Sequence, residues 1–320
     1  MAAPTLLPPS IPAPDLPLPR FQTLHGHVPG VEQKDPQRVL KAGLIGFGRT
    51  GRDVAKLLLT DKSMCLEWVI RRSDRLEHRS VPEYLGVDSD EPGIIRSACE
   101  FTADELLDRF PVDVIIDFSS ETGLDYYGDA AASRGVAVVT AISKYSDAKQ
   151  RQLDLLAQQT RVLWSPNITL GINFMLLAAQ TLQRIAPGVD IQIVEEHFRD
   201  KAEISGTALR LARSLEVPDD EVHVIRAGGI IGVHEILFGF PAQVVRLRHE
   251  AISREAFGNG AMFAARHVVD LPTGIYRMED LLLPYFSSDS PTPSHSGQRR
   301  RGQLRRGLAA RLHAVAVRLS

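Results

Sequence analysis

Cysteine is almost missing from the sequence: Cys65 and Cys99 are the only two in 320 residues. Two such isolated thiols make neither a disulfide framework nor a metal-spaced cluster, so no metal is expected and a reducing cytoplasm is the default setting. Long apolar runs are missing as well. No stretch approaches the roughly 20 residues that cross a bilayer, and the first residues lack the basic and apolar segments of a secretory signal, so no membrane contact is expected. Charge of one sign is also scarce. The 37 basic and 39 acidic residues leave a formal net charge of −2, which says nothing about partners.

What is present is a 44% hydrophobic chain long enough for two domains with their own cores. Proline is concentrated before residue 38, from Pro4 to Pro36, where it removes backbone donors and fixes extended conformations; residues 1–38 are read as a disordered leader. From Ser287 the chain turns Ser/Pro-rich and then basic, with Arg299, Arg300, Arg301, Arg305 and Arg306. Residues 287–320 are read as a solvated tail, not as a nucleic-acid module, which would need a folded scaffold.

Between these ends, Val39 to Ile45 reads as a buried strand, Gly46-Phe47-Gly48-Arg49-Thr50-Gly51 follows at once, and Val54, Leu57 and Leu58 mark a helix face. Strand, glycine turn and helix in that order suit a dinucleotide: Gly46 for the tight turn, Gly48 for close approach of a pyrophosphate, Gly51 for helix–strand packing. Leu66 to Ile70 is a second strand, ending in Arg71-Arg72-Ser73. Two guanidiniums and a hydroxyl there fit a 2′-phosphate, so NADPH is expected, with NADH as the other option. Strands over Val112 to Ile116 and Val136 to Thr140 end in Asp117-Phe118-Ser119 and Ala141-Ile142-Ser143, which should line one crevice. Asp104 to Phe110 and Asp147 to Gln159 read as helices, Val162 to Ser165 as a strand, and Phe174 to Ile185 as a long helix beyond the break at Pro166 and Asn167.

A second chemical centre lies at Glu195-Glu196-His197-Phe198-Arg199-Asp200-Lys201. Val189, Ile191 and Ile193 alternate as in a strand before it; Ser205 is a good N-cap, and Ala208, Leu211, Ala212 and Leu215 make one helical face after it. The free N–H groups of Gly206 and Thr207, the helix dipole, the Lys201 ammonium and the His197 imidazole make a site for a small carboxylate undergoing proton transfer. His223 to Arg226, His234 to Gly239 and Val244 to Glu250 read as a meander, Met262 to Val269 as a helix, and Met278 to Leu283 as the last packed segment.

Residues 39–286 resemble the 4-hydroxy-tetrahydrodipicolinate reductase (dihydrodipicolinate reductase) family. The glycine loop, Asp117-Phe118-Ser119, Ser165-Pro166-Asn167 with Gly171-Ile172-Asn173, Arg226-Ala227-Gly228-Gly229-Ile230, Ser253-Arg254 and Asn259-Gly260-Ala261 carry the resemblance. It implies an α/β Rossmann domain over 39–167, completed by about 257–286, with an α+β mixed-sheet substrate and oligomerisation domain over 168–256. It also implies a homotetramer that reduces a cyclic imine or enamine dicarboxylate with NAD(P)H in lysine and diaminopimelate biosynthesis. By the same resemblance His197 and Lys201 match the catalytic pair, and Ser205, Gly206, Thr207 and Arg254 bind substrate. Ala141 to Ser143 and the run Ser165, Pro166, Asn167, Ile168 match the nicotinamide-side loops. Three departures stand out: Phe198 replaces the second histidine of HHxxKxDxPSGT, the loop before Ser205 is one residue shorter, and Ala141-Ile142-Ser143 replaces a GTT-like loop. A related diamino-acid dehydrogenase and a non-catalytic nucleotide-binding regulator are the other readings.

Overall fold

The computed structural model describes residues 38–286; the expected leader and basic tail lie outside the described residues. The first part alternates strand and helix: β1 (Leu40–Ile45), α1 (Arg49–Thr60), β2 (Met64–Arg71), α2 (Val81–Leu85), β3 (Ile94–Ser97), α3 (Ala103–Arg109), β4 (Val114–Asp117), α4 (Gly123–Arg134), β5 (Ala137–Thr140), α5 (Asp147–Ala157) and β6 (Arg161–Trp164). Then come α6 (Leu170–Ile185), β7 (Asp190–His197), α7 (Gly206–Ser214), β8 (Val222–Arg226), β9 (Val233–Phe240) and β10 (Gln243–Glu250). The chain closes with α8 (Glu255–Val268), β11 (Gly274–Tyr276) and α9 (Met278–Leu282).

Seven strands form a parallel sheet in the order β11-β6-β5-β4-β1-β2-β3. Both faces are covered, which is why β4 (VIID) and β5 (AVVT) are buried at every residue instead of alternating. One face packs Leu44, Val69 and Ile116 against α1 and α8; the other packs Trp68, Ile115 and Val138 against α3, α4 and α5. The strand order reverses between β1 and β4, where Ile45 and Asp117 are register partners. Their carboxyl ends form the crevice where ligands bind in such sheets.

The smaller sheet, β10-β9-β7-β8, is mixed: β7 and β8 run parallel, the other pairs antiparallel. Ile191, Ile193, Ile236 and Phe238 on its inner face pack on Ile172 and Leu176 of α6 and Leu211 of α7. The architecture is therefore a Rossmann-like α/β sheet with a second, mixed-sheet α+β layer.

Several elements differ from the sequence reading. The helix expected from Met262 begins at Glu255, and Gly258 and Gly260 let its first turns lie close to the neighbouring chain. A Cβ on Gly260 would run into the Ile168 carbonyl, so the helix can lie against that chain only without one. Helices α2 and α4 and strands β3 and β11 were not expected; the two strands hold four and three residues at the sheet edges, too few for a period to show.

Candidate active site

At the nucleotide end, the β1–α1 turn is pressed against the β4 turn. Gly46 has φ +96°, its N–H donates to the Ile70 carbonyl at 2.8 Å, and a Cβ there would lie 2.8 Å from the Phe118 carbonyl and the Ser119 nitrogen. Only glycine meets both demands. Gly51 is buried directly behind, where a Cβ would strike the Gly46 carbonyl, whereas a Cβ on Gly48 would meet nothing within 4 Å. That open space before the N-terminus of α1 suits an incoming pyrophosphate. It belongs to a cavity of about 530 Å³ lined by Gly46, Phe47, Gly48, Arg71, Arg72 and Ser119, among others. The Arg71 guanidinium is anchored by donating to the Arg75 carbonyl at 2.8 Å, and Arg72 is exposed.

Other expected cofactor residues sit differently. The Asp117 carboxylate does not line the cavity: it is fully buried and accepts from the Ser119 N–H (2.8 Å), the Ser119 hydroxyl (2.6 Å) and the Tyr127 hydroxyl (2.9 Å). It shapes the turn from underneath. Burial pushes its pKa up to about 6 against these neutral donors. Thr50 is half-buried in the first turn of α1. Arg49 lines a neighbouring cavity of about 440 Å³ together with Arg52, Lys56 and Arg254. Arg254, expected at the substrate, lines this cavity beside α1. Its place is fixed by the packing of α8 on α1, a tertiary fact.

The two nicotinamide-side loops follow β5 and β6. Ile142 is buried and its carbonyl accepts from Trp164 Nε1 at 2.8 Å, while Ser143 is exposed. Ser165 Oγ donates to the Asn167 carbonyl at 2.7 Å, and Ile168 is fully buried. Asn167 Nδ2 then donates to Thr207 Oγ1 at 3.0 Å. This one bond joins the expected cofactor loop to the expected carboxylate cradle, 40 residues apart.

At the substrate end, β7 delivers Glu195 and His197, and Ser205 caps α7 by accepting from the Ala208 N–H at 3.0 Å. The first N–H groups of α7, at Gly206 and Thr207, have no partner within the helix. Glu195 is fully buried beneath them and accepts from the Ser205 N–H at 3.2 and 3.0 Å and from Arg226 Nη2 at 2.6 Å. Arg226 also donates to the carbonyls of Lys201 and Glu203, both at 2.9 Å, so it braces the loop that carries the lysine. Burial alone would raise the Glu195 pKa, but the bonds from Ser205 and Arg226 outweigh it and hold the group below its ordinary value. His234 Nε2 lies 3.0 Å from Ser205 Oγ and 3.9 Å from the carboxylate. Burial, followed by His197, pushes the His234 pKa down to about 3, so the ring is neutral.

His197 is mostly buried, and burial lowers its pKa while Glu195, 3.7 Å away, works in the opposite sense. Among the described residues no ion pair or hydrogen bond engages the Lys201 ammonium, which leaves its protons for a ligand. Phe198 is 45% exposed, its ring centroid 6.5 Å from that of His197. Glu195, His197 and His234 offer ligand atoms within 4.8 Å of one another. A guanidinium and a backbone N–H already occupy the carboxylate, however, and these are donors that a cation would have to displace. Glu195, Arg226 and His234 are the site residues that the sequence reading left without a role.

Residues 40–168 match the family model described as dihydrodipicolinate reductase, N-terminus, and residues 170–282 match its C-terminus. The 4-hydroxy-tetrahydrodipicolinate reductase of Nitratidesulfovibrio vulgaris (strain DP4) is 30% identical over 262 residues, covering 73% of this chain and 95% of that protein. The enzyme of the same name from Methanopyrus kandleri is 31% identical over 264 residues, covering 73% and 93%. A dipicolinate-bound dihydrodipicolinate reductase from Paenisporosarcina sp. TG-14 superposes with a TM-score of 0.63 at 20% identity over 76% of this chain and 99% of that one, a likeness of fold. The chain belongs to the dihydrodipicolinate reductase family of NAD(P)H-dependent oxidoreductases.

Proposed function

We propose that the protein reduces 4-hydroxy-tetrahydrodipicolinate to tetrahydrodipicolinate, a step of lysine and diaminopimelate biosynthesis. The observation that supports this reading is the Asn167–Thr207 hydrogen bond, which joins the proposed cofactor loop to the proposed carboxylate cradle. A reduced nicotinamide supplies the hydride when bound. The rest is done by the chain. The N–H groups of Gly206 and Thr207, with the α7 dipole and the Ser205 cap, hold a carboxylate of the substrate. The Lys201 ammonium and the His197 imidazole neutralise and protonate the centre that gains electrons.

NADPH is the proposed cofactor, because Arg71 and Arg72 stand at the end of β2, beside the cavity that Gly46 and Gly48 open. The proposed division places residues 39–167, completed by 257–286, on the cofactor and residues 168–256 on the substrate. A homotetramer is proposed on the outer face of the small sheet. There Val244 and Ile225 are exposed beside Arg248, which pairs with Glu196 and Glu235, a mixture that a symmetry-related copy can complement. Among the described residues no helix is long and apolar enough to cross a membrane; the cytoplasm is the proposed compartment, given the two free cysteines.

The test is NADPH oxidation fed by condensing pyruvate with aspartate semialdehyde. Turnover that needs both precursors is expected, with Lys201→Met cutting it by roughly 10² to 10⁴ while NADPH binding survives. Folded protein that binds NADPH and turns over nothing overturns the substrate; an undiminished Lys201→Met variant overturns the acid.

A further inference from the structure

We propose that Glu195 is the positioning residue of the site: its carboxylate makes Nε2 of His197 the atom that gains and loses the proton, and ties that proton to the cradle receiving the substrate carboxylate. The inference rests on His197 being the acid–base group of the function proposed above.

The ring is held at Nδ1 and flanked by Gly232. Nδ1 lies 3.0 Å from the Ile231 carbonyl, and a carbonyl only accepts, so Nδ1 carries a hydrogen in both charge states of the ring. Gly232 lies alongside the ring, where a Cβ would come within 2.9 Å of His197 Cε1, so the absence of a side chain there leaves the ring in this seat. Nε2 is therefore the titrating nitrogen. It is buried without a hydrogen-bond partner and faces Glu195 Oε2 at 3.7 Å, too far for a hydrogen bond and close enough for charge. In the neutral ring a lone pair points at a carboxylate and gains nothing. Once protonated, Nε2 presents a cationic N–H to a fixed anion.

The carboxylate cannot turn away, because the Ser205 N–H and Arg226 hold both of its oxygens. The cationic neighbours disfavour the imidazolium: Lys201 from the following loop, Arg226 from β8 and, when charged, His234 from β9. Among the described residues Glu195 is the one carboxylate within ion-pair distance of His197. The same Glu195 oxygens fix the backbone of Ser205, which starts α7. A proton on His197 and a carboxylate at Gly206 and Thr207 therefore share one buried support.

The experiment is an NMR titration of the His197 ring in the full chain, without substrate, for wild type, Glu195→Gln and Glu195→Asp. It is paired with the pH profile of kcat/KM. In wild type the neutral ring should be the Nδ1–H tautomer. Glu195→Gln should lower the His197 pKa by roughly one to three units, the range for loss of a close opposite charge. The alkaline limb of kcat/KM should then move to lower pH by the same amount, with NADPH affinity unchanged, and Glu195→Asp should fall between. A neutral Nε2–H tautomer in wild type overturns the proposal whether or not either variant folds, as does a folded Glu195→Gln with unshifted titration. If the ring shifts but the substrate assay shows no turnover, this inference stands and the proposed reaction falls.

Discussion

Asp117 and Glu195 are both fully buried carboxylates, one under each half of the site, yet they titrate in opposite directions. Asp117 receives only neutral donors from Ser119 and Tyr127, and burial wins, pushing it up to about 6. Glu195 is equally closed to solvent but less deeply set, and it also accepts from a guanidinium; it stays below its ordinary value. Closure to solvent therefore does not by itself decide the charge; depth and partner together do. The two ends use their acids accordingly. Under the glycine loop the acid braces a turn and needs no charge, whereas beneath α7 a permanent charge faces the histidine.

The largest expected effect comes from erasing that difference. Arg226→Met keeps the aliphatic stem and removes the cation, leaving Glu195 in the position of Asp117; a broken buried pair costs about 3 to 5 kcal/mol. Urea unfolding near pH 7 measures it. Wild-type Glu195 has a depressed folded-state pKa, so its contribution exists above the unfolded value of 4.5 and is lost as pH falls through the folded one. The gap between variant and wild type should therefore narrow below about pH 4.5. A gap that ignores pH would mean that Arg226 acts only by packing.

Asp117 gives the opposite slope and a smaller effect. Its folded-state pKa is raised, so the stability it contributes is fully present below 3.8 and is lost as pH rises through about 6. The loss is of order 2 to 3 kcal/mol. Comparing urea midpoints between pH 4 and 7 for wild type and Asp117→Asn should show this decline in wild type alone. Parallel curves would break the contrast with Glu195.

Local chemistry explains what could be read in the sequence and what could not. The turn at Gly46 and the cap at Ser205 are set by adjacent residues, and both stand where the local pattern put them. The Glu195 network is set by register. Glu195 is the direct cross-strand partner of His234, and His197 that of Arg226, across β9 and β8 strands that lie 29 to 39 residues along the chain. No local period encodes that pairing. Arg254 is likewise positioned by packing: it stands at the start of α8 and lines a cavity with Arg49 and Arg52 of α1, a neighbourhood that no local pattern states.

At the nucleotide end, Arg71→Asp with Arg72→Ala should weaken NADPH roughly ten- to a hundredfold, since charge-assisted contacts to a 2′-phosphate are worth about 1.5 to 3 kcal/mol. NADH should lose far less. Fluorescence titration of both cofactors checks it, and equal losses would remove the 2′-phosphate from the proposal. Neither buried acid should respond, because both arginines lie at the end of β2.

The smallest effect sharpens the account of Glu195 most. Ser205 meets the network twice: its N–H donates to the carboxylate, and its hydroxyl accepts from Ala208 and contacts His234. Ser205→Ala deletes only the hydroxyl. Loss of an N-cap costs about 1 kcal/mol, which in a chain of this size lowers the melting temperature by roughly 2 to 4 °C. The hydroxyl's own pull on Glu195 is lost, but Arg226 and the Ser205 backbone N–H still hold the carboxylate ionised, so His197 keeps its anion. Melting should therefore fall slightly while the pH profile of kcat/KM stays in place, the reverse of Glu195→Gln. A shifted profile in Ser205→Ala would show that the hydroxyl and His234 carry the coupling to His197, and Glu195 would lose its assigned part.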